Sequence, residues 1–443
     1  MSEARAIGVG LIGLGTIGTG VAKVLRQNAD VIEQRLGAPL RLVRIADLDT
    51  ETDRGVDLAG IRFDSDADGL VADPAVDIVV ELIGGIDVAR RFMLQSIEAG
   101  KHVVTANKAL LALHGAEIFG AAAQRGVDVA FEASVGGGIP ILRSVREGLA
   151  ANHIDALYGI LNGTTNYVLS EMEETGEDFA VVLERAQDLG YAEADPTFDV
   201  DGIDAAHKLT LLAAMCFGAE LTYKEVPTEG IRGLTPVDFE AAKEFGYRLK
   251  LLGIAKARRG PEGERIEARV HPTLVPVASL LSRVDGAMNA VAVIGDAVGE
   301  TLFYGAGAGE LPTASAVVAD LMEIAREIRR GNAGRVAPLS YMPDMLEPKP
   351  LVPLAELHGR FYLRFTALDR PGVLAHLTGV LGEHEIGIES VIQKGGGGGE
   401  ESVPVIVLTD PASEASVRAA LERIDGLDAV TAPTCVVRIE QEL

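Results

Sequence analysis

Cysteine is scarce: Cys216 and Cys435 are the only two in 443 residues, and they stand in unrelated contexts. That rules out a disulfide framework and cysteine metal-ligand spacing, and it fits a reducing compartment. Basic blocks are missing too. The formal net charge is −25, and without clustered Lys and Arg nucleic acid is not an expected partner. No run of about 18 apolar residues occurs, so no membrane span is expected. The N-terminal MSEARAIGVGLIGLG shows no leader, since its apolar stretch continues straight into a motif. The cytoplasm is the expected location. Asn162-Gly163-Thr164 matches a glycosylation acceptor, read as chance without a secretory signal. What remains is an ordinary globular composition, long enough for two to three domains.

The first domain, expected over 1–150, opens on Ala6–Ile12, a short buried-strand pattern. It runs into Gly13-Leu14-Gly15-Thr16-Ile17-Gly18 and then a helix pattern. This is G-x-G-x-x-G in a strand–turn–helix setting. Gly13 permits the turn, Gly15 lets backbone approach a pyrophosphate, and Gly18 lets helix and strand pack closely. The first helical N–H groups, from Thr16 and Ile17 on, are donors for phosphate. Further strands are expected at Leu40–Ala46, Asp77–Leu82, His102–Thr105 and Val127–Glu132, separated by helical stretches such as Val88–Ala99 and Ala109–Arg125. Alternating β and α elements imply a Rossmann-type, doubly wound parallel sheet in an α/β fold. Asp47 closes the second strand, where a carboxylate suits the ribose of NAD and a nearby arginine suits the phosphate of NADP. Asp49 and Arg44 are both close in sequence, which leaves NAD against NADP open.

Ligands bind at the carboxyl ends of such strands. Leu82-Ile83-Gly84-Gly85 would let a nicotinamide approach. Thr105-Ala106-Asn107-Lys108 aims Lys108 at the cofactor–substrate junction, although a lone loop lysine is usually just solvated. The irregular, glycine-rich stretch Glu132-Ala133-Ser134-Val135-Gly136-Gly137-Gly138-Ile139-Pro140 could offer backbone carbonyls, with Glu132, to a hard cation. Its plainer reading is a tight turn into a proline-started helix.

The second domain, expected over 151–335, is α+β. Strands are read at Ile154–Leu161, Tyr247–Arg258, Arg265–Val275, Ala290–Ile294 and Glu300–Tyr304, the later ones forming an antiparallel platform for pairing of subunits. Helices are read at Tyr167–Glu174, Phe179–Leu189, Asp201–Phe217 and Ala316–Arg330, the last expected to pack back on the first domain. Gly190 caps the second of these, and Gly305–Gly309 feeds the last. The stretch GYAEADPTFDVDGIDAAHK packs Glu193, Asp195, Asp199, Asp201, Asp204 and Lys208 together. Asp201 suits the N-cap and Asp204 the first helical turn. Asp204 and Lys208, four apart, share a helix face. Read alone they are a surface ion pair; read as chemistry, a lysine among carboxylates binds an ammonium-bearing substrate and moves a proton. Cys216 lies in an apolar helix with no His or Arg beside it, so an acylating dehydrogenase with a cysteine nucleophile is not expected.

Residues 336–357 are a proline-rich linker. The tail, 358–443, reads as strands Phe361–Ala367, Ile388–Gln393, Val403–Leu408 and Val430–Ile439 with helices Val373–His384 and Ser413–Ile424. That is the βαββαβ order of a ferredoxin-like domain, with Gly395–Gly399 as a flexible tip.

Seven blocks in order carry a resemblance: GLGTIG, VELIGG, TANKAL, EASVGGGIPI, NGTTNYVL, GYAEADPTFDVDGIDAAHK and GAGAGELPTASAVVADL. Residues 1–330 resemble the monofunctional bacterial homoserine dehydrogenases, and DRPGVLAHLTGVLGEHEIGIES resembles an ACT domain. The resemblance implies reversible hydride transfer between homoserine and aspartate 4-semialdehyde with NAD or NADP, in threonine, methionine and isoleucine biosynthesis. It implies Lys208 as the acid/base lysine, with Lys108 as a second lysine near the hydroxyl and nicotinamide. Glu193, Asp199 and Asp204 would contact homoserine, with Thr165 and Tyr191 lining the pocket. Thr105, Gly190 and Gly309 would touch the cofactor. Glu132 with the backbone of Val135, Gly137 and Ile139 would hold a sodium-like cation. The ACT turn Arg370-Pro371-Gly372-Val373-Leu374 would cradle an amino-acid effector, threonine by resemblance, in a homo-oligomer. The competing reading is a catalytically silent amino-acid sensor on the same Rossmann and ACT framework.

Overall fold

The computed structural model describes residues 5–220, 222–261, 263–393 and 402–443; the glycine tip Gly395–Gly399 lies outside them. The chain divides into two units, neither continuous in sequence. One holds Met1–Leu157, His207–Glu225 and Asn289–Lys349; the other holds Tyr158–Ala206, Val226–Met288 and Pro350–Leu443.

The first unit is built on a six-stranded parallel sheet. Across it the strands run Arg62–Asp64, Leu40–Ala46, Ile7–Ile12, Ile78–Glu81, His102–Thr105 and Val129–Ala130. Ile7–Ile12 is central and buried along its whole length, which is why it reads as a continuous apolar run rather than an alternating one. The order reverses beside it, placing the Gly13–Gly18 turn at a topological switch point. The segment before Leu40 forms a second helix, Ala29–Leu36, ended by left-handed Gly37. The last expected strand shortens to Val129–Ala130 and gives way to a 3-10 turn at Glu132–Ser134.

Helix Glu310–Arg330 packs against helix Thr16–Gln27. Ala314, Val317, Leu321 and Ile324 share one core with Val9, Val21 and Leu25. The helix begins six residues before the expected Ala316, because Gly309, at φ 130°, turns the chain directly into it. Lys23 and Glu310 pair at 2.7 Å across the two helices. Strands Met288–Gly295 and Gly299–Ala306 are neighbours, and from Asn289 onward they belong to this unit.

In the second unit Tyr247–Gly260 and Gly263–Pro276 form a long antiparallel pair. The tail adds Val430–Ile439, His358–Leu368, Ser402–Thr409 and Ile388–Gln393, in that spatial order. Helices Val373–Glu383 and Glu414–Asp425 bury Leu377, Leu381, Val417, Ala420 and Ile424 against Phe361, Leu363, Phe365 and Val407. This is the ferredoxin-like arrangement read from the sequence. Its sheet is not separate, however. Val430–Ile439 pairs in parallel with Gly263–Pro276, with Thr273 opposite Arg438 and Leu274 opposite Ile439.

Among the described residues no helix is long and apolar enough to cross a membrane.

Candidate active site

The dinucleotide turn is shaped as its glycines require. Gly13 has φ 98°, and a Cβ there would meet the Leu82 carbonyl oxygen at 2.7 Å. A Cβ on Gly18 would strike the Gly13 carbonyl oxygen at 2.1 Å, so only glycine lets helix and strand approach. Gly15 has no heavy atom within 4 Å of its would-be Cβ, and Gly15 and Thr16 are exposed. An open glycine cradle at a helix N-terminus fits a pyrophosphate. Ile17 sits in the first turn of that helix.

Asp47 is tied to this turn: its Oδ2 accepts from Leu14 N–H at 2.5 Å and its Oδ1 from Asp49 N–H at 2.9 Å. Arg54, which the sequence gave no reason to single out, stands between Asp47 (3.7 Å) and Asp49 (3.2 Å). Asp49 is held down to about 2 by hydrogen bonds from Thr52 and then Glu51, with Arg54 adding to the effect. Arg44 faces elsewhere. It is buried and shared among Asp64, Asp66 and Asp73 at 3.1, 3.1 and 3.6 Å, so it serves the fold and not a cofactor phosphate.

At the ends of the next strands Thr105 Oγ1 donates to Glu81 Oε2 at 2.7 Å, while Glu81 Oε1 accepts from Ile83 N–H. Burial raises the Glu81 carboxyl. Asn107 Oδ1 caps helix Lys108–Arg125 by accepting from Leu110 N–H, and its Nδ2 donates to the Gly85 carbonyl. Lys108 is the first residue of that helix and half-buried.

Glu132 is buried, and both carboxylate oxygens accept backbone N–H groups, from Leu142 at 2.9 Å and Arg143 at 2.8 Å. Burial raises its carboxyl. Its own N–H donates to Asp320 Oδ2 at 2.8 Å, and burial followed by Glu132 pushes Asp320 up to about 8. Gly136 and Gly137 both have positive φ. A Cβ on Gly137 would meet the Gly307 carbonyl oxygen at 2.4 Å, and Gly138 N–H donates to the Ala306 carbonyl. Two loops thus meet backbone to backbone beside Val135 and Ile139, where the Ile139 carbonyl accepts from Ile141 N–H at 2.8 Å. Among the described residues no cluster of three or more His, Cys, Asp or Glu could hold a metal. Asn289 faces the same Gly307, and its buried amide has no hydrogen-bond partner among the described residues.

In the second unit Asn162 is the organising residue. Its Oδ1 caps helix Gly163–Thr175 by accepting from Thr165 N–H at 2.8 Å, which starts that helix four residues before the expected Tyr167. Its Nδ2 donates to Asp199 Oδ1 at 2.7 Å and to Asp204 Oδ2 at 2.9 Å. Asp199, Asp204 and Thr165 are therefore gathered around one side chain that no spacing argument singled out. Tyr191 stacks on Tyr167 with ring centroids 4.7 Å apart, and its carbonyl accepts from Thr164 Oγ1. Gly190, at φ 77°, ends helix Phe179–Asp188. Glu193 is exposed, and its carbonyl accepts from Gln187 Nε2. Asp201 does not cap the next helix. Arg232 takes its carboxylate at 2.5 Å, and the first helical bond runs from Ala206 N–H to the Gly202 carbonyl. Helix Ile203–Phe217 carries Asp204 and Lys208 one turn apart, both buried, which removes the reading of a surface ion pair. Cys216 is buried further along it, its thiol pushed up to about 12 by burial, and it is structural. In the tail, Gly372 (φ 91°) opens helix Val373–Glu383, and Leu374 is exposed.

Residues 13–132 match the family model described as the homoserine dehydrogenase NAD binding domain, 140–322 that of homoserine dehydrogenase, and 361–426 that of the ACT domain. The homoserine dehydrogenase of Neisseria gonorrhoeae is 47% identical over 98% of this chain and 99% of its own length. That of Pseudomonas aeruginosa is 48% identical over 99% of each. The crystal structure of a homoserine dehydrogenase from Thiobacillus denitrificans is similar at a TM-score of 0.92, with 50% identity and 99% of both chains covered. The three family models and relatives of 47% and 48% identity that match nearly the whole chain show the family: the chain belongs to the homoserine dehydrogenases, as an NAD(P)-dependent oxidoreductase with an ACT domain.

Proposed function

We propose that this homoserine dehydrogenase works through the buried pair Asp204 and Lys208, and the observation that carries the reading is their burial one helical turn apart. Asp204 and Asp199, held by Asn162, take the ammonium group of homoserine; Glu193 joins them, with Thr165 and Tyr191 as walls. Lys208 receives the hydroxyl proton as the substrate is oxidised and returns it in the reverse direction, and Lys108 orients that hydroxyl. Proton transfer by such a positioned side chain is general acid–base catalysis. A nicotinamide dinucleotide, when bound, would supply the hydride acceptor. Gly13, Gly15, Thr16, Ile17 and Gly18 hold its pyrophosphate, with Thr105, Gly190 and Gly309 contributing further contacts.

For the dinucleotide, Asp47 favours NAD. Its carboxylate and that of Asp49 flank Arg54 and offset its charge. Glu132, Val135, Gly137 and Ile139 hold a monovalent cation such as sodium, which organises the loop. The tail reads an amino acid, threonine by the family resemblance, at the Arg370–Leu374 turn, and the protein is a cytoplasmic homo-oligomer.

The test is homoserine-dependent reduction of NAD and of NADP, side by side, with and without threonine. Turnover that prefers NAD and slows with threonine is expected. Folded protein that binds the dinucleotides without turnover would return the chain to the silent-sensor reading.

A further inference from the structure

In the first unit the ends of two neighbouring strands close into a ring of hydrogen bonds around one buried acid. Glu81 ends strand Ile78–Glu81 and Thr105 ends His102–Thr105, and the two stand opposite each other in the parallel register. Glu81 is 1% exposed. Its Oε1 accepts from Ile83 N–H at 2.9 Å and its Oε2 from Thr105 Oγ1 at 2.7 Å. Thr105 Oγ1 in turn accepts from Asn107 N–H at 3.0 Å, and Asn107 Nδ2 donates to the Gly85 carbonyl at 2.7 Å. The ring therefore closes on the Leu82–Gly85 turn where it began.

Both arcs of the ring belong to the candidate active site. The Leu82–Gly85 turn backs onto the dinucleotide turn, where a Cβ on Gly13 would meet the Leu82 carbonyl oxygen at 2.7 Å and Ile83 Cγ2 at 3.0 Å. The other arc ends on Asn107, which caps helix Lys108–Arg125 by accepting from Leu110 N–H at 3.0 Å. Lys108 is the next residue, and its N–H donates to the Ala106 carbonyl at 3.1 Å.

A carboxylate is costly in such a place, because burial disfavours the charged form. The direction of the hydrogen bonds explains why a neutral glutamine of the same size would not serve. Ile83 N–H can only donate. Thr105 Oγ1 already accepts from Asn107 and has its own proton to give. Two donors thus converge on Glu81, one on each oxygen, and the carboxylate accepts both. In glutamine one of those oxygens becomes an NH2 group that faces Thr105 with a second donor, and the ring opens on that side.

We propose that Glu81 is a positioning residue of the dehydrogenase reaction: through Thr105 and Asn107 it fixes the first turn of helix Lys108–Arg125, and so sets Lys108 against the Leu82–Gly85 turn. The proposal rests on the reading that Lys108 orients the substrate hydroxyl.

The test compares wild type, Glu81→Gln, Lys108→Ala and the double variant as full chains. Homoserine oxidation gives kcat, calorimetry gives the dinucleotide dissociation constant, and thermal melting checks the fold. Glu81→Gln is expected to lower kcat by about tenfold or more, as a small misplacement of a reacting group does. It should cost less than about twofold further once Lys108 is alanine, because residues that act as one unit are not additive. The dissociation constant should move far less than kcat. If Lys108→Ala itself leaves kcat unchanged, the reading of Lys108 fails and the proposal falls with it. If Lys108→Ala is impaired but Glu81→Gln leaves kcat unchanged, or lowers it equally in both backgrounds, the proposal alone is overturned. Thr105→Val and Thr105→Ser decide the matter if Glu81→Gln does not fold. Valine removes the hydroxyl that Glu81 holds and should lower kcat, whereas serine restores it and should recover most of the rate. Wild-type kcat in Thr105→Val, or an equal loss in Thr105→Ser, overturns the proposal.

Discussion

Asn162 Nδ2 lies 2.9 Å from Asp204 Oδ2, and through this contact a helix cap becomes a carboxylate holder. One amide performs both tasks because its oxygen accepts and its nitrogen donates. Asn162→Asp separates them. The aspartate still caps helix Gly163–Thr175, while a buried carboxylate facing two others should lower the melting temperature. It also sets a third negative charge against Asp199 and Asp204, which repel it instead of accepting from it. KM for homoserine is expected to rise severalfold more than KM for the dinucleotide. Equal changes in both would remove Asn162 from substrate binding.

Lys208→Ala should lower kcat by about 10²- to 10⁴-fold, the usual range for a lost general acid or base. The dissociation constant for the dinucleotide should hold, since that turn lies on other elements. A kcat within twofold of wild type would take Lys208 out of the reaction.

Dinucleotide choice should respond to Asp49. It is exposed and pairs with Arg54 at 3.2 Å. Asp49→Ala leaves Arg54 less neutralised beside Asp47 and should raise kcat/KM with NADP relative to NAD severalfold. An unchanged ratio would mean that Arg54 does not face the ribose.

Stability against pH should carry the signature of Asp320. Its carboxyl is pushed up to about 8 from an ordinary 3.8. Between these values the folded chain holds a proton that the unfolded chain releases, so stability falls as pH rises through that window. Asp320→Asn keeps an oxygen for the Glu132 N–H and should flatten the fall. Melting curves taken between about pH 4 and pH 8 compare the two slopes, and identical slopes would exclude Asp320 as the source.

Much of this framework could be read in advance, for local reasons. The first strand and its glycine turn are visible because close backbone approach at Gly13 and Gly18 leaves no other residue possible. The tail's four strands are visible because each runs between turn signals at regular spacing. Helix Ala29–Leu36 was hidden by its own polarity, with only Ile32 and Leu36 buried. What local pattern could not show is where a polar side chain spends its hydrogen bonds. Asn162 reaches partners 37 and 42 residues away, and Asp201, a good cap by position, is taken by Arg232 from 31 residues on. Arg44 looked like a phosphate ligand beside Asp47 until Asp64, Asp66 and Asp73 enclosed it. Such pairings depend on how distant segments meet, and periodicity carries no record of that.

The tail's last strand lies against Gly263–Pro276, with Glu440 N–H donating to the Leu274 carbonyl just beyond it. A gene shortened after the linker would therefore strip a neighbour from the remaining sheet as well as remove the ACT domain. It would bare backbone donors and acceptors at Thr273 and Leu274, and such an unprotected border recruits other chains. It would also leave Glu229 without its Arg438 partner and Lys256 without Glu440 and Glu442, so the shortened protein would meet its first difficulty in remaining dispersed, before any question of catalysis arose.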